Sequence, residues 1–261
     1  MQVYVCVKHV PDTAARISLI GEKSFEDKVA IKFVVNPFDE YAVEEALKIV
    51  ANEGGEVVIV SVGKEAAVAS IRSALAMGAH RGIHIKTDQQ FLDSAIVSQA
   101  LKLAIEQDGQ PDLIFTGKQS VDSEGLQTQY RLAVAMKMPV VSGVVNLNIE
   151  AGKAIAERDV GGGAREVLEM QMPCIIGATK GLNDPRFPKL PDIMKAKKKE
   201  VKQIDLSSLG IDQPAATVEL LKLETVAPRS KAKMLNGSVQ EIAENFIRIM
   251  KEEEKVLEDN K

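Results

Sequence analysis

Short apolar runs alternate with helical patterns through the first half of the chain, and this alternation limits the possible folds more than any other feature. The runs that start at Val3, Val57 and Leu113 have the length and composition of strands buried on both faces. Patterns of period 3.6 separate these runs from one another. Strands that alternate with helices wind into a parallel sheet through right-handed crossovers. Residues 3–141 are therefore predicted to form a doubly wound, mostly parallel α/β sheet.

The fourth predicted strand and its helix are joined by a polar loop whose pattern indicates an anion site. Gly117 marks the strand exit and Gly125 the helix entrance. Such a connection places free backbone N–H groups and the positive end of a helix dipole at the sheet edge, where a phosphate is stabilised. Gln127 and Thr128 would add side-chain donors. An ordinary strand-to-helix connection is the alternative, because single glycines near strand ends are common. The helix is predicted to bury Leu126, Tyr130, Ala133 and Met136.

Ligands of parallel sheets gather outside the carboxyl ends of the strands. Four loops are predicted to reach that edge, at residues 6–12, 36–39, 62–65 and 117–128. The dinucleotide pattern G-x-G-x-x-G does not follow the first strand, and the chain has no P-loop. The sheet therefore has either a different nucleotide geometry or no nucleotide site.

Several local features of the first half are also predicted. Residues 3–10 are interpreted as one continuous strand, and residues 17–35 as a loop with a hairpin. In the helix that follows, Asp39 is predicted to be the N-cap, and Glu44, Glu45 and Lys48 are predicted to face outward.

Composition and charge exclude several classes of function. The 33 basic residues against 37 acidic ones, the absence of Trp and an aromatic share of 4% argue against nucleic-acid binding. No apolar stretch approaches the roughly 20 residues of a membrane span. The first strand begins directly after the initiator, which leaves no room for a signal peptide, so we expect a soluble cytoplasmic protein. Cys6 and Cys174 lie in apolar runs and are interpreted as small hydrophobes. The three histidines, His9, His80 and His84, have no metal-site spacing and are interpreted as incidental.

Antiparallel strands are predicted after the parallel sheet. Residues 144–149, 154–158 and 166–172 have strand patterns, and turns separate them. The triple glycine at residues 161–163 is interpreted as a hairpin turn, with a phosphate cradle as the weaker alternative. The apolar run after Pro173 then returns to the buried sheet.

The remainder of the chain is predicted to serve as partner-binding surface. Residues 182–199 combine three prolines, an apolar patch and a basic run, a composition typical of a functional or interface loop. An extended arm is predicted at residues 200–235, and its apolar residues need a second subunit to cover them. A C-terminal helix at 236–261 starts with a capping box formed by Ser238 and Glu241. The domain prediction is thus an α/β domain at 1–181, followed by these three segments.

A set of motifs, in order and at matching intervals, carries a resemblance to the β subunit of electron transfer flavoproteins along nearly the whole chain. Each motif alone is weak, but together they are specific. They are Val5-x-Val-Lys8, Asn36-Pro-Phe-Asp-Glu40, Arg72-x-Ala-Leu-Ala-Met-Gly-Ala79, Gly117-Lys-Gln-x-x-Asp122, Gln127-Thr128, Arg158-Asp-x-Gly-Gly162, Pro173, Leu182-Asn-Asp-Pro-Arg-Phe187 and Leu190-Pro-x-Ile-Met-Lys-Ala-Lys-Lys-Lys199.

This resemblance implies a Rossmann-like, adenine-nucleotide-binding domain in a heterodimer. An α subunit would hold most of the contacts to a redox-active FAD, which the β subunit helps to enclose, and the β subunit would bind AMP in its own sheet. Gln127 and Thr128 would hold the phosphate. The implied AMP contacts are Cys6, Asn36, Pro37, Phe38, Asp39, Val62, Gly117, Lys118, Gln119, Ser120, Val121, Asp122, Ser123, Glu124, Gly125, Leu126, Gln127 and Thr128.

The resemblance also implies an electron carrier rather than an enzyme. Electrons would come from acyl-CoA dehydrogenase-type flavoenzymes of fatty acid β-oxidation and pass to the membrane quinone oxidoreductase for electron transfer flavoproteins. The loop around Leu190 resembles the recognition loop that docks into the dehydrogenase, and Asp159 matches an acidic position that controls the swing of the flavin domain. Lys195 and Lys198 match positions that are methylated in some members. The implied partner-binding residues are Arg186, Phe187, Leu190, Pro191, Ile193, Met194, Lys195 and Lys198.

Two departures from the family pattern leave other functions open. Many AMP-binding members have Asn-Gln-Thr where this chain has Leu126-Gln127-Thr128, and many have Asp-Tyr where it has Asp12-Thr13. Pro-Asp-Thr is common in members that bifurcate electrons, oxidise NADH and bind a second FAD in place of AMP. The retained Thr128 and the docking segment favour AMP. A stand-alone nucleotide-sensing module is the alternative from another class.

Overall fold

A nine-stranded sheet organises the protein, with helices on both faces. The computed structural model describes residues 1–25, 31–89, 91–211, 218–227, 232–253 and 255–256. In these residues the strands are β1 (Gln2–Cys6), β2 (His9–Pro11), β3 (Leu19–Ile20), β4 (Ser24–Phe25), β5 (Phe33–Val35), β6 (Glu56–Gly63), β7 (Arg81–Lys86), β8 (Leu113–Gly117), β9 (Val140–Glu150), β10 (Lys153–Gly161), β11 (Ala164–Gln171), β12 (Cys174–Ala178) and β13 (Val201–Asp205). The helices are α1 (Pro37–Glu53), α2 (Val68–Met77), α3 (Ser94–Asp108), α4 (Thr128–Met136), α5 (Leu190–Ala196) and α6 (Val239–Arg248).

The order of the strands reverses beside β1. The sheet runs β11-β10-β9-β12-β8-β1-β6-β7-β13, so the chain first moves outward from β1 through β6 and β7 and then crosses back to β8. From β12 to β13 all neighbouring pairs are parallel. This arrangement confirms the predicted doubly wound fold, and it places a topological switch point between β1 and β8.

Successive residues of β1 supply the two sides of the core. Val3 and Val5 are fully buried in the cluster that α1 and α2 cover, whereas Tyr4 and Cys6 point to the cluster that α3 and α4 cover. Because alternate side chains of a strand face opposite sides, a strand apolar at every position needs helices on both faces. The nearly continuous apolar run in the sequence has this cause.

Two predicted strands have different bounds in the structure. The run at residues 3–10 is not one strand, because β1 ends at Cys6 and the chain turns into β2, which pairs antiparallel with β5. Conversely, β9 is one long strand that changes partners. Its first residues run parallel to β12 and its later residues antiparallel to β10. The hairpin predicted within residues 17–35 is present as β3 and β4.

The predicted exposed face of α1 is wrong in part, since Lys48 is exposed as predicted but Glu44 and Glu45 are not. Asp39 is not the N-cap, because the helix starts at Pro37 and Asn36 precedes it. Glu44 and Glu45 are buried, since Arg186 and Asn183 donate hydrogen bonds to their carboxylates. A helical pattern read from apolar residues alone cannot detect a buried carboxylate with a distant partner.

The predicted buried face of α4 is wrong in part. Ala133 is buried, but Leu126 and Tyr130 are exposed, and Leu132 lies in the core instead. Gln129 is buried too, because its amide donates to the carbonyl of Lys118 and to Ser142 Oγ, and Thr116 Oγ1 donates to it. Met136 packs at the border of the core.

The antiparallel extension is confirmed. β9, β10 and β11 form a meander whose surface carries the cross-strand ion pairs Lys153–Glu169 and Arg158–Glu166. The triple glycine forms the hairpin turn between β10 and β11, with φ angles of 89°, 62° and 80° at residues 161–163. These angles lie in the region that glycine adopts at no steric cost, and the hairpin interpretation is confirmed.

The sequence predicts an extended arm at residues 200–235. In the structure the chain re-enters the sheet at the start of this range, directly after the loop at 182–199. β13 pairs in parallel with β7 at the sheet edge, and Leu209, in a short 3₁₀ turn after it, is buried.

A second compact unit covers residues 224–261. Its helix α6 starts with the predicted capping box, in which Ser238 Oγ accepts from the Glu241 amide and the Glu241 carboxylate accepts from the Ser238 amide. The sequence also predicts an apolar stripe on this helix, formed by Val239, Ile242, Phe246, Ile249, Met250 and Leu257. Val239 and Phe246 are exposed, whereas Leu257 lies outside the described residues. Within the described residues, none of the helices is long and apolar enough to cross a membrane.

Candidate functional site

The candidate site lies at the switch point, where β1 and β8 end side by side. The carboxylate of Asp39, in the first turn of α1, connects both strand ends. The Lys8 backbone amide donates to Asp39 Oδ2 at 2.7 Å, and the Gly117 amide donates to Oδ1 at 3.0 Å. Asn36 Nδ2 donates to the same Oδ1 at 2.8 Å. Three segments distant in sequence are therefore held together at one carboxylate.

Asn36 extends this connection into the loop after β8. Its Nδ2 donates to the carbonyl of Gln119 at 2.9 Å, and its Oδ1 accepts from the amide of Val121 at 3.0 Å. Asn36 is 1% exposed. A buried amide side chain that bonds the backbone on both its donor and acceptor sides fixes the course of that loop.

Gly117 is required by a close approach. A Cβ atom at this position would lie 2.4 Å from Asp39 Oδ1 and 2.7 Å from Phe38 Cβ. No side chain fits at that separation, so the glycine at the strand exit permits the contact with Asp39. The next residue, Lys118, places its Nζ 5.2 Å from the centre of the Phe38 ring, a cation–π distance.

Lys8 closes the outer side of the loop. Its Nζ donates to the Asp122 carboxylate at 2.7 Å and to Ser120 Oγ at 3.3 Å. Ser120 and Ser123 bond each other at 2.9 Å. Lys8 is not among the site residues deduced from the sequence, although it lies in the loop at residues 6–12 that was predicted to reach the ligand edge of the sheet.

The end of the loop has an unusual backbone conformation. Glu124 and Leu126 have φ angles of 48° and 56°, on either side of Gly125. Positive φ at a bulky leucine costs energy and is concentrated at functional sites. The Glu124 amide donates to the carbonyl of Ser120 at 2.9 Å, so this turn closes on itself just before the helix. The two positive φ angles therefore make the end of the loop a candidate for ligand contact.

The N-terminus of α4 adds donors at the same place. The first N–H groups of a helix have no intrahelical partner, and among the described residues no side chain caps this helix at Gln127. Gln127 Oε1 instead accepts from Ser94 Oγ and from Arg131, both at 3.1 Å. Thr128 is half-buried as the first helical residue.

Burial dominates the electrostatics of the site. It raises the pKa of Asp39 to about 7, although the hydrogen bonds from Asn36, Lys8 and Gly117 lower it. Burial, with a smaller contribution from the charge of Asp39, raises the pKa of Cys6 to about 12, so this thiol is a neutral wall of the site.

The other predicted cofactor contacts lie along the same sheet edge. Cys6 is the last residue of β1, and Val62 is half-buried near the end of β6. His84, interpreted from the sequence as incidental, supports the end of β6. Its Nε2 lies 3.0 Å from the carbonyl of Gly63 and 3.1 Å from that of Lys64. No local sequence signal connects His84 with these carbonyls, because the contact depends on the pairing of β6 with β7.

The predicted docking residues form a surface of their own on α5 and the loop before it. Arg186 anchors the loop through Nε at 2.7 Å and Nη2 at 2.9 Å from the Glu44 carboxylate. Phe187 is 94% exposed, and Leu190 is 74% exposed. The residues exposed with them are Pro191, Ile193, Met194, Lys195 and Lys198.

Two basic residues hold α5 against α2. Arg72 donates to the carbonyls of Ala196 and Lys199. Lys199 Nζ donates to the carbonyls of Leu75 and Ala79 at the end of α2, at 2.9 and 2.6 Å. A cation at a helix C-terminus is favourable because of the helix dipole. Part of the basic run in the sequence is thus structural.

Asp159 lies on the exposed end of β10, away from these two surfaces. Its Oδ1 accepts from the Gly161 amide at 2.8 Å, where the register of β10 and β11 shifts. The structure describes no group of three or more His, Cys, Asp or Glu residues in its described ranges that could hold a metal ion.

Fold and site together define a class: a doubly wound α/β protein with a polar loop and an uncapped helix N-terminus at its switch point, the arrangement in which phosphorylated cofactors bind. Comparison with known proteins gives the family. Residues 28–209 match the family model described as the electron transfer flavoprotein domain. The chain belongs to the electron transfer flavoprotein family, whose members are flavin-associated electron-transfer proteins rather than classical enzymes.

Curated relatives extend this match to nearly the full length. The electron transfer flavoprotein subunit beta of Bacillus subtilis (strain 168) is 35% identical over 261 residues, which cover 98% of this chain and 100% of that protein. The subunit beta of Dictyostelium discoideum is 34% identical over 252 residues, with 96% and 97% covered. The subunit beta of Mus musculus is 33% identical over 256 residues, with 97% of each chain covered. The resemblance deduced from the sequence motifs is confirmed.

Proposed function

We propose that the chain is the β subunit of a heterodimeric electron transfer flavoprotein that binds AMP in its own sheet and helps to enclose the FAD of an α subunit. The observation that carries this proposal is the uncapped N-terminus of α4 at the switch point, with a positive φ of 56° at Leu126 just before it. The names of the relatives, all subunits beta, support an α-subunit partner.

The residues of the cleft fit an adenine nucleotide. The free amides at the start of α4 and the Thr128 hydroxyl would hold the phosphate, and Gln127 would contribute its amide. The sugar and base would lie along the ends of β1 and β6, against Cys6 and Val62, which present a thiol and a methyl surface. A nucleotide that binds only the folded state stabilises that state by mass action, so AMP would have a structural role.

The redox chemistry would belong to the flavin, which accepts and releases electrons when it is bound. This chain would exclude water from one side of the flavin and bring it to its donors. The exposed apolar residues on α5, above all Leu190, have the composition of a docking site, because Phe, Leu and Met in a fixed frame bury readily in a partner's pocket. We propose that acyl-CoA dehydrogenase-type flavoenzymes dock there, that Asp159 controls the swing of the flavin domain, and that a membrane quinone oxidoreductase receives the electrons.

The experiment is to purify the two-subunit complex, denature it and identify the released nucleotides. One FAD and one AMP per heterodimer is the expected result. Two FAD and no AMP would instead assign the chain to the electron-bifurcating, NADH-oxidising type, a second candidate that Asp12 and Thr13 favour because the sequence Pro-Asp-Thr resembles that type. A stable monomer that binds a nucleotide without any α subunit would identify a stand-alone sensing module.

A further inference from the structure

Both oxygens of the Asp39 carboxylate are directed into the protein. Asp39 is 5% exposed, and its three donors are the amides of Lys8 and Gly117 and the side chain of Asn36. The sequence motif places Asp39 among the residues that touch a nucleotide. In the structure its oxygens face these three N–H groups instead.

These donors belong to the segments that bound the cleft. Lys8 follows β1, Gly117 ends β8, and Asn36 precedes α1. Through Asn36 the carboxylate is also connected to Gln119 and Val121 in the loop that leads to α4. The Asp39 side chain therefore connects the two strand exits with each other and, through Asn36, with the loop.

We propose that Asp39 is a positioning residue for nucleotide binding, which sets the phosphate-binding amides at the start of α4 without touching the ligand. This inference rests on the proposed nucleotide site. Only a carboxylate accepts at both oxygens from three donors, whereas an asparagine offers one oxygen and turns an NH₂ group toward another N–H. Replacement of Asp39 by Asn therefore breaks at least one of these hydrogen bonds, and one of the three segments is no longer held to the others.

The inference predicts a selective loss of affinity. The hydrogen bonds of Asp39 and Asn36 reach the loop on the phosphate side of the cleft. Asp39→Asn is therefore expected to weaken the binding of AMP at least tenfold and the binding of adenosine less than twofold. The measurement is calorimetric titration, at pH 8, of the two-subunit complex after its nucleotide has been removed. A purely structural role would instead weaken AMP and adenosine by the same factor.

Glu44→Gln is the matched control. Glu44 is a second buried carboxylate on the same helix, but its partner is Arg186 in the docking segment rather than the cleft. This variant is expected to lower the unfolding temperature while AMP affinity stays within twofold. Equal losses of AMP affinity in both variants would overturn the positioning role.

Asn36→Ala is the second variant, which keeps the carboxylate and removes its connection to the loop. It is expected to show the same AMP-selective loss, and the double variant is expected to add little to either single one, because both act through one network. If Asp39→Asn does not fold, the AMP-to-adenosine ratio of Asn36→Ala decides, and an unchanged ratio would reject the proposal. A wild-type complex that binds neither ligand would instead reject the nucleotide site itself.

Discussion

The cleft at the switch point and the docking segment on α5 are both made from loops, but they are built in opposite ways. The cleft turns polar groups inward, around Asp39, and has the uncapped N-terminus of α4 at its edge. The docking segment turns Arg186 and Lys199 toward the body of the protein and exposes apolar side chains together with Lys195 and Lys198. A small anion needs fixed donors, whereas a protein partner needs apolar area on a fixed base.

The largest expected effect tests the close approach in the cleft. Gly117→Ala is expected to lower the free energy of unfolding by about 2–4 kcal/mol, because its Cβ would lie 2.4 Å from Asp39 Oδ1 and the strand exit has to move. Chemical denaturation measures this change. Gly125→Ala, in the same loop, is the control, since in the described part of the chain a Cβ there meets no atom within 4 Å. Equal stability of the two variants would contradict the description of the cleft as tightly framed.

The next effect tests the frame of the docking segment. Glu44→Gln is expected to cost about 2 kcal/mol of unfolding free energy, because Arg186 loses a charged partner that is itself buried. Burial alone would raise the pKa of Glu44, yet the hydrogen bonds and charge of Arg186 lower it overall, which shows that the ionised form is the one held. Lys195→Gln is the control, because its pair with Asp192 is exposed and 4.0 Å long. If both variants keep the stability of the wild type, the docking segment does not depend on the ion pair between Arg186 and Glu44.

The free energy of unfolding is expected to depend on pH through the buried carboxylate of Asp39. Burial raises the pKa of Asp39 from 3.8 to about 7, so between these values the folded chain holds more protons than the unfolded one. Stability from this group therefore falls as pH rises from about 5 to 7, by up to about 1.4 kcal/mol per pH unit. Urea denaturation at pH 5 and pH 6 is expected to show this slope in the wild type and to show it reduced in Asp39→Asn. Parallel slopes would place the raised pKa elsewhere.

The smallest change in stability is expected at the docking surface. Leu190→Ala is expected to change the free energy of unfolding by less than about 0.5 kcal/mol, because the side chain is 74% exposed. Electron transfer from an acyl-CoA dehydrogenase is nevertheless expected to slow about tenfold, the effect of removing one buried apolar anchor. Stopped-flow kinetics with flavin content as the control measures it. Unchanged rates would remove α5 from the docking site.

The sequence predicted the elements whose cause is local. Apolar runs predicted the individual buried strands, Gly161 to Gly163 predicted the hairpin turn, and the pair Ser238 and Glu241 predicted the start of α6. In each case the residues that determine the structure lie within one element or one turn.

The features that were missed depend on distant contacts. Glu44 is buried because Arg186, more than a hundred residues later, neutralises it, and Gln129 is buried because Ser142 and Thr116 satisfy its amide. β13 joins the sheet because β7 presents an open edge. No window of sequence around these residues contains that information, and for the same reason the inward direction of the Asp39 carboxylate could not be predicted.

The strand β13 also has a mechanical consequence for the docking segment. Residues 179–200 leave β12 in the middle of the sheet and re-enter at its far edge, on the other side of β8, β1, β6 and β7. The segment is therefore fixed to the sheet at both ends, and a pulling force on Leu190 acts on β12 and on β13 at the same time. A single proteolytic cut in this segment would leave both halves attached to the sheet, and the protein's size in solution would change very little.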